Sequence, residues 1–198
     1  MSSSTEHLGY KMCRDRRLVT LKITGETNED RPGVVDRQHA KFRTSSAIVV
    51  FIERVDAEGE FAADPSCCDI SFATATSLYD KSFVYYFGKE ITDTKFHNTP
   101  PDEVCGRGIH YFLTREAAFH YSHSLYYYTG VAFEWRDDGT LESKHELVNG
   151  IHCGVCEFWD DEGYLTLVLT QDANGNLQSR RTYIKGRECS LHESICSM

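Results

Sequence analysis

A 24-residue repeat in the C-terminal third of this 198-residue chain limits the possible folds more than any other feature. Residues 130–141 and 154–165 share Gly, Val, Trp, Asp, Gly and Leu at matching positions. A partial further copy covers residues 175–186. A repeat this short cannot bury an apolar face alone, so successive copies must pack against their neighbours.

Two kinds of turn separate the strands expected within each repeat. The run Asp137-Asp138-Gly139 and its counterpart at 161–163 end in a glycine, which adopts a positive φ without steric cost. Asn-Gly pairs at 149–150 and 174–175 are strong signals for tight β-hairpins. The residues between the turns are rich in β-formers. The pattern therefore predicts an antiparallel β-meander over about residues 130–185.

The N-terminal part has the pattern of a mixed domain with few helices. Thr114 is a suitable N-cap for a short helix over residues 115–121. Strand-like apolar patterns occur at residues 18–23, 47–52, 83–89 and 109–113. We therefore predict the fold class α+β: a mixed N-terminal domain over residues 1–124, a C-terminal antiparallel β-meander over 125–186 and a polar tail over 187–198.

Charge and composition exclude several classes of function. The chain carries 30 acidic and 21 basic side chains, which argues against sequence-independent binding to nucleic acid or to an anionic membrane. Its longest apolar run, residues 47–52, is far too short to span a membrane. The first residues lack the pattern of a signal peptide. We therefore expect a protein that is not secreted and whose cysteines are reduced.

The repeat unit, Gly-Val-x-x-x-Trp-x-Asp-x-Gly-x-Leu with Asn-Gly between copies, resembles the MORN-variant repeat. That resemblance implies an elongated β-meander of a kind used for protein–protein contact and dimerisation. The runs at 43–50, 77–89 and 105–117 resemble an uncharacterised N-terminal domain of large DNA viruses of the marseillevirus and mimivirus kind, where it precedes repeat arrays. This second resemblance implies an origin, an architecture and a place in the host cytoplasm or the virion, but no activity.

These features make a non-enzymatic scaffold the leading hypothesis. We expect the repeats to bind a protein partner or a second copy of the chain. Aromatic side chains dominate such interfaces, and a hydrophobic stripe is expected at the start of the repeat region. The predicted partner-binding residues are Tyr126, Tyr127, Tyr128, Trp135 and Trp159. The same residues could instead seal the junction between the two domains.

An enzyme is the alternative hypothesis. The run from Gly106 to Phe112, followed by a short helix, is similar to a segment of ADP-ribosyltransferase folds that lies beside the nicotinamide pocket. This resemblance implies NAD binding and requires a His or Arg on an early strand. The candidates for that role are His39, Arg43 and Arg17, although none has the sequence setting of the family. His110 alternates with Ile109 and Tyr111, so we expect it on the opposite face of its strand, in a structural role.

Metal chemistry has weak support in the sequence. Cys153 and Cys156 form a lone Cys-x-x-Cys with His152 beside it, whereas a structural zinc site needs four ligands. Cys156 also aligns with Ala132 of the previous repeat, which favours a buried strand residue. The run at 172–176 resembles the start of a calcium loop, but a hairpin turn explains it better. We accordingly predict no catalytic residue, no cofactor and no bound metal.

Overall fold

The computed structural model describes residues 6–56, 73–98, 103–121, 125 and 127–189. The chain forms two compact units. The first unit comprises residues 1–124 and 137–139, and the second unit comprises residues 125–136 and 140–198. No helix in the described part of the chain is long and apolar enough to cross a membrane.

The first unit is built mainly from antiparallel strands. Its elements are β1 (Leu8–Cys13), β2 (Arg17–Ile23), β3 (Lys41–Thr44), β4 (Ser46–Arg54), β5 (Thr74–Thr76), β6 (Val84–Tyr86), β7 (Glu90–Thr92), β8 (Ile109–Phe112) and one α-helix, α1 (Arg115–His120). Six strands form a sheet in the order β3-β8-β1-β2-β4-β7, and β5 and β6 form a separate hairpin. Since α1 is the one α-helix among the described elements, the α+β class has little helix to support it. Antiparallel sheet makes up most of the fold.

Four of the predicted strands are confirmed as β2, β4, β6 and β8. The predicted helix is confirmed as α1, and the hydroxyl of Thr114 accepts a hydrogen bond from the backbone N–H of Ala117, as an N-cap does. Four strands were not predicted, namely β1, β3, β5 and β7. Two of these, β1 and β3, flank β8 in the sheet.

Apolar side chains of the central strands form the core of the first unit. Val19 and Leu21 of β2 and Val49 of β4 are completely buried. On β8 the side chains alternate: Ile109 and Tyr111 enter this core. Burial of each large apolar side chain stabilises the fold by about 1.5–3 kcal/mol. Helix α1 contacts β1, β2 and β8.

The second unit is a six-stranded antiparallel meander, as the repeat predicted. Its strands follow one another in sequence order: β9 (Gly130–Trp135), β10 (Leu141–Val148), β11 (Ile151–Trp159), β12 (Leu165–Gln171), β13 (Leu177–Ile184) and β14 (Arg187–Cys189). The last strand lies in the segment predicted as polar tail. Its sequence signal is weak because it has three residues, two of them charged and exposed.

Acidic side chains shape the turns of this meander. The Asp160 carboxylate accepts hydrogen bonds from the backbone N–H groups of Glu162 and Tyr164, at 3.1 and 2.8 Å. Asp172 accepts from Asn174 and Asn176 in the same way, at 2.8 and 2.9 Å. The run at 172–176 is thus the turn between β12 and β13, as the sequence indicated.

Candidate functional site

A cavity of about 320 Å³ lies within the first unit. This volume falls at the lower end of the range found for ligand pockets. Strands β1, β3 and β8, the C-terminal end of α1 and two neighbouring loops supply its walls. The lining residues are Lys11, Met12, Lys41, Leu78, Tyr79, Cys105, His110, Phe112, Ala118 and Tyr121. The site is mixed in character, with polar groups at a largely apolar wall.

Strand register explains which side chains meet at the cavity. Lys41 of β3 pairs with Phe112 of β8, and Phe112 also pairs with Tyr10 of β1. His110 and Phe112 alternate with the core residues of β8, so they lie on the other face of the sheet. Helix α1 covers part of that face, but its six residues span only about 9 Å. Space therefore remains beside its C-terminal end.

Two lysine side chains bring positive charge to the cavity. Lys41 Nζ donates hydrogen bonds to the Tyr121 hydroxyl at 2.6 Å and to Cys105 Sγ at 3.4 Å. Although burial opposes it, the hydrogen bond to Tyr121 helps to raise the pKa of Lys41. Lys11 Nζ donates to the backbone carbonyl of His110 at 3.2 Å. Burial lowers the pKa of Lys11 to about 8, and the charge of Lys41 adds to this shift. Both groups are therefore mainly cationic at neutral pH.

His110 contributes no charge to this site at neutral pH. Burial lowers its pKa to about 4, with further lowering by Lys11 and Lys41. Its Nε2 lies 3.1 Å from the carbonyl oxygen of Val104, and because a carbonyl only accepts, Nε2 carries the proton. The predicted direction of His110, away from Ile109 and Tyr111, is confirmed. Its bond to the backbone is also what a structural histidine makes.

Aromatic rings form much of the apolar wall. Phe112 and Tyr121 lie with their ring centroids 4.9 Å apart. Tyr79 is 62% exposed and stands at the mouth of the cavity. Partial burial raises the pKa of Tyr79, so the phenol stays protonated. An aromatic or aliphatic ligand group would find contacts on these rings.

The loop that carries Cys105 is held by Arg43 of β3. The Arg43 side chain is fully buried, and it donates to the carbonyls of His97 at 2.6 Å, Arg107 at 2.7 Å and Glu103 at 2.9 Å. Arg43 thus holds the backbone at Glu103 and at Arg107, on either side of Cys105, which lines the cavity. It acts as a positioning residue and does not itself line the cavity.

The two other candidates for the early-strand His or Arg of a transferase, His39 and Arg17, also lie outside the cavity lining. His39 Nδ1 is 2.7 Å from the Asp36 carboxylate, and Arg17 donates to the carbonyl of Thr74. Neither residue lines the cavity. The three residues considered for a transferase role are therefore not brought together around it.

Four of the predicted partner-binding residues are described and belong to the second unit, and they differ in exposure. Tyr126 lies outside the described residues. Tyr127 is 75% exposed, whereas Tyr128 is 8% exposed and donates to the carbonyl of Val131 at 3.1 Å. Trp135 on β9 and Trp159 on β11 are half-buried, and Trp135 stacks on Phe133 with centroids 5.6 Å apart. Their role in partner binding stays a prediction.

Sequence reasoning missed the two lysines of the cavity. Both lie on strands that were not predicted, β1 and β3. The available signal was a lysine inside an otherwise apolar stretch, since Lys11 stands between Tyr10 and Met12. A lysine in such a run is rarely buried without a reason.

Comparison with known protein families assigns the N-terminal part of the chain to a family. A family described as a family of unknown function, DUF5758, matches residues 1–118. Neither the curated proteins nor the solved structures contain a match to the chain. The matched segment includes every lining residue of the cavity except Tyr121.

Proposed function

We propose that this chain, which belongs to the DUF5758 family of unknown function, binds a small organic anion in the cavity of its first unit. One observation carries the proposal: two lysine ammonium groups converge on a mainly apolar cavity whose described lining residues include no carboxylate. A charge that is removed from water favours a partner, and an anion in the cavity would supply one for both ammonium groups.

The lining also limits the shape of the ligand. An ammonium group has three donors, and Lys11 uses one of them on the carbonyl of His110, so donors remain for a carboxylate or phosphate. Met12, Phe112 and Ala118 present apolar surface to the rest of the ligand. The best fit is a single ring or short alkyl group with one anionic substituent.

A thermal-shift titration with phenyl phosphate tests the proposal. We expect millimolar phenyl phosphate to raise the melting temperature, because a ligand that binds only the folded state stabilises it by mass action. Lys11→Met and Lys41→Met keep most of each side chain's volume but remove its charge. Each should weaken binding at least about tenfold, which corresponds to about 1.4 kcal/mol.

Lys22→Met is the matched control. Lys22 lies on the neighbouring strand β2, contacts the Glu6 carboxylate at 2.7 Å and does not line the cavity. Binding of phenyl phosphate should be unchanged in this variant. No shift in the wild-type protein, or equal losses in all three variants, would contradict the proposal.

The NAD hypothesis is tested by the same titration with NAD as the ligand. Its support is the position of the cavity beside Phe112, in the segment on which the transferase resemblance rests. A rise in melting temperature with NAD that is lost in Lys41→Met would favour it. A response to phenyl phosphate without a response to NAD removes the transferase hypothesis and leaves the anion site.

A second proposed function is self-association through the second unit, with another copy of the chain as the partner. Exposed large apolar side chains favour it, because seven of the eleven found among the described residues belong to this unit: Tyr127, Val131, Val148, Ile151, Tyr164, Leu177 and Ile184. Large exposed apolar surface is typical of interaction sites.

Light scattering over a range of micromolar concentrations tests self-association. We expect a dimer whose dissociation constant rises at least about tenfold in Tyr127→Ala, since exposed tyrosines are common interface anchors. Tyr86→Ala is the matched control, because Tyr86 is 52% exposed but belongs to the first unit. A strict monomer, or equal effects of both variants, would contradict this second proposal.

A further inference from the structure

Three residues with metal-binding side chains lie together on one face of the second unit. His145 of β10 pairs directly with Cys156 of β11, and Leu147 pairs with His152, so the sheet register brings His145, His152 and Cys156 to the same area. One potential ligand atom from each residue lies within 4.8 Å of the other two. Cys156 Sγ is 4.0 Å from His152 Nδ1, and the two imidazole rings are 4.7 Å apart.

The environment of His145 defines which of its nitrogens is available. The Ser143 hydroxyl donates to Glu134 Oε2 at 2.6 Å, so its oxygen accepts from His145 Nε2 at 2.7 Å. Glu134 Oε2 itself lies 3.6 Å from Nε2. Nε2 therefore carries the proton and Nδ1 has the lone pair.

The lone pair on His145 Nδ1 has no partner in the described structure. His145 is only 7% exposed, and Nδ1 is buried without a hydrogen bond. An unsatisfied buried polar atom costs about 1–3 kcal/mol, so such atoms are rare in folded proteins. Metal-ligating histidines almost always donate their other ring N–H to a fixed partner. His145 has this arrangement, because Nε2 donates to the Ser143 hydroxyl, which is itself bonded to Glu134, and Nδ1 is unoccupied.

The repeat does not require these residue types. Cys156 corresponds to Ala132, and His152 corresponds to Tyr128, one repeat earlier. His145 corresponds to Leu169, one repeat later. The meander can therefore form with apolar or aromatic residues at all three positions. The repeat fold therefore does not need the metal-binding side chains of His145, His152 and Cys156.

We propose that His145 Nδ1, His152 Nδ1 and Cys156 Sγ bind one Zn²⁺ ion on the second unit. Two imidazoles and a thiolate suit zinc, whereas calcium and magnesium require oxygen ligands. Tetrahedral zinc with its normal bond lengths places such atoms roughly 3.5 Å apart, so side-chain shifts of about 1 Å close the site. His152 is exposed, which leaves room for its ring to turn.

The fourth position of the ion is taken by water. Three protein ligands with one position open to solvent is the pattern of zinc sites that do chemistry, and the exposed side of His152 gives access to it. Gln171 Oε1 lies 3.4 Å from Cys156 Sγ and bonds to the thiol in the absence of metal. When zinc binds, the thiol proton is released to solvent and the Cys156 thiolate enters the first coordination sphere.

Metal titration of the full-length chain tests this site. After removal of metal with a chelator, we expect one Zn²⁺ or Co²⁺ per chain. The Co²⁺ form should show a thiolate-to-metal charge-transfer band in the near ultraviolet and visible bands of tetrahedral intensity. Cys156→Ala, which restores the residue of the previous repeat, should abolish the charge-transfer band.

Cys153→Ala is the matched control, because Cys153 is the other cysteine of the Cys-x-x-Cys but is not part of the cluster. It should bind Co²⁺ like the wild-type chain. Ser143→Ala keeps all three ligands but removes the acceptor of His145 Nε2, so it should weaken binding about 10- to 100-fold, as is typical when the partner of a ligating histidine is lost. His152→Tyr, at an exposed position, provides a second ligand variant should Cys156→Ala fail to fold.

Either of two results would overturn the zinc site. The first is Co²⁺ binding with an unchanged charge-transfer band in Cys156→Ala or in His152→Tyr. The second is a wild-type chain that takes up no metal at micromolar concentrations. The phenyl phosphate response of the first unit is measured separately, so the two proposals succeed or fail independently.

Discussion

The two units are both antiparallel sheets, yet they are stabilised differently. In the first unit, strands distant in sequence are neighbours: β3 pairs with β8, and β8 pairs with β1. Phe42 and Tyr111 are completely buried there. In the second unit each strand pairs with the next one, and half of the six buried side chains on its strands are small, namely Ala132, Ser143 and Cys156. The first unit depends on a core, and the second on local pairing and turns.

The largest expected difference between the units is the effect of losing an arginine. Arg43→Met removes donors from three backbone carbonyls in a buried setting. We expect it to lower the free energy of unfolding by about 3–5 kcal/mol, as for other broken buried charge networks. Arg181→Met on β13, where the side chain is exposed, should stay within about 0.5 kcal/mol.

Urea unfolding followed by hydrogen exchange and mass spectrometry measures both variants. Peptides from β2 report on the first unit and peptides from β12 report on the second. Equal destabilisation by Arg43→Met and Arg181→Met would show that the two sheets depend equally on surface and core arginines. That outcome would contradict the view that the first unit depends on a buried core and the second on local pairing and turns.

Acid should affect the first unit through two buried histidines. Burial lowers the pKa of both His110 and His120 to about 4. Between pH 6.5 and 4 the unfolded chain binds these protons and the folded chain does not, so stability is full above pH 6.5 and falls as the pH decreases towards 4. We expect His110 to account for about 2 kcal/mol of this loss, after allowance for its partial exposure.

His110→Gln and His120→Gln check this assignment. Each variant should flatten part of the decrease in stability of β2 and β8 peptides between pH 6.5 and 4. Fluorescence helps to separate the units, because both tryptophans, Trp135 and Trp159, belong to the second one. An unchanged pH profile in both variants would show that other groups cause the loss.

The contrast between the units also explains what the sequence could predict. The meander was predicted because its signals, Asn-Gly pairs and acidic glycine turns, act over a few residues. Strand β3 was missed because Lys41, Arg43 and Thr44 are polar, although the fold buries all three. Burial of Lys41 and Arg43 depends on a hydroxyl and on carbonyls supplied by residues more than fifty positions away, which no local pattern contains.

The residues of the two proposed sites are likewise brought together by strand pairing that no local sequence pattern contains. Lys11 and Lys41 meet only because β8 lies between β1 and β3. His145 joins His152 and Cys156 only through the register of β10 and β11. The Cys-x-x-Cys at 153–156 was visible in the sequence, but the residue that completes the proposed zinc site is across the hairpin, where spacing alone does not reveal it.

Glycine-to-alanine substitutions should lower the free energy of unfolding by less than Arg43→Met does. The cause of the loss should differ between the two units. A Cβ at Gly9 would lie 2.5 Å from the ring of Tyr111, so Gly9→Ala overpacks the first unit. We expect a loss of about 1–3 kcal/mol. At Gly163 a Cβ meets no atom within 4 Å, but the φ of +82° disfavours alanine by about 1 kcal/mol.

A second pair of variants distinguishes overpacking at Gly9 from backbone strain at Gly163. Gly163→Asn should recover most of the loss, because asparagine tolerates the left-handed region. Gly9→Asn should be at least as destabilising as Gly9→Ala, because it is larger. Urea midpoints decide between the two outcomes, and rescue of Gly9 by asparagine would refute the packing explanation.

The smallest change in the free energy of unfolding is expected at α1, the helix that borders the cavity. This helix has no counterpart among the described elements of the second unit. The Thr114 hydroxyl accepts from the N–H of Ala117 at 3.2 Å and donates to the carbonyl of Gln38 at 2.9 Å. Thr114→Ala should cost about 1 kcal/mol, the usual value for an N-cap, while Thr114→Ser should restore most of it. Because α1 positions Ala118 and Tyr121, Thr114→Ala should also weaken phenyl phosphate binding more than Thr114→Ser does. Equal affinity in the two variants would mean that the cavity is held by β1, β3 and β8 without the helix.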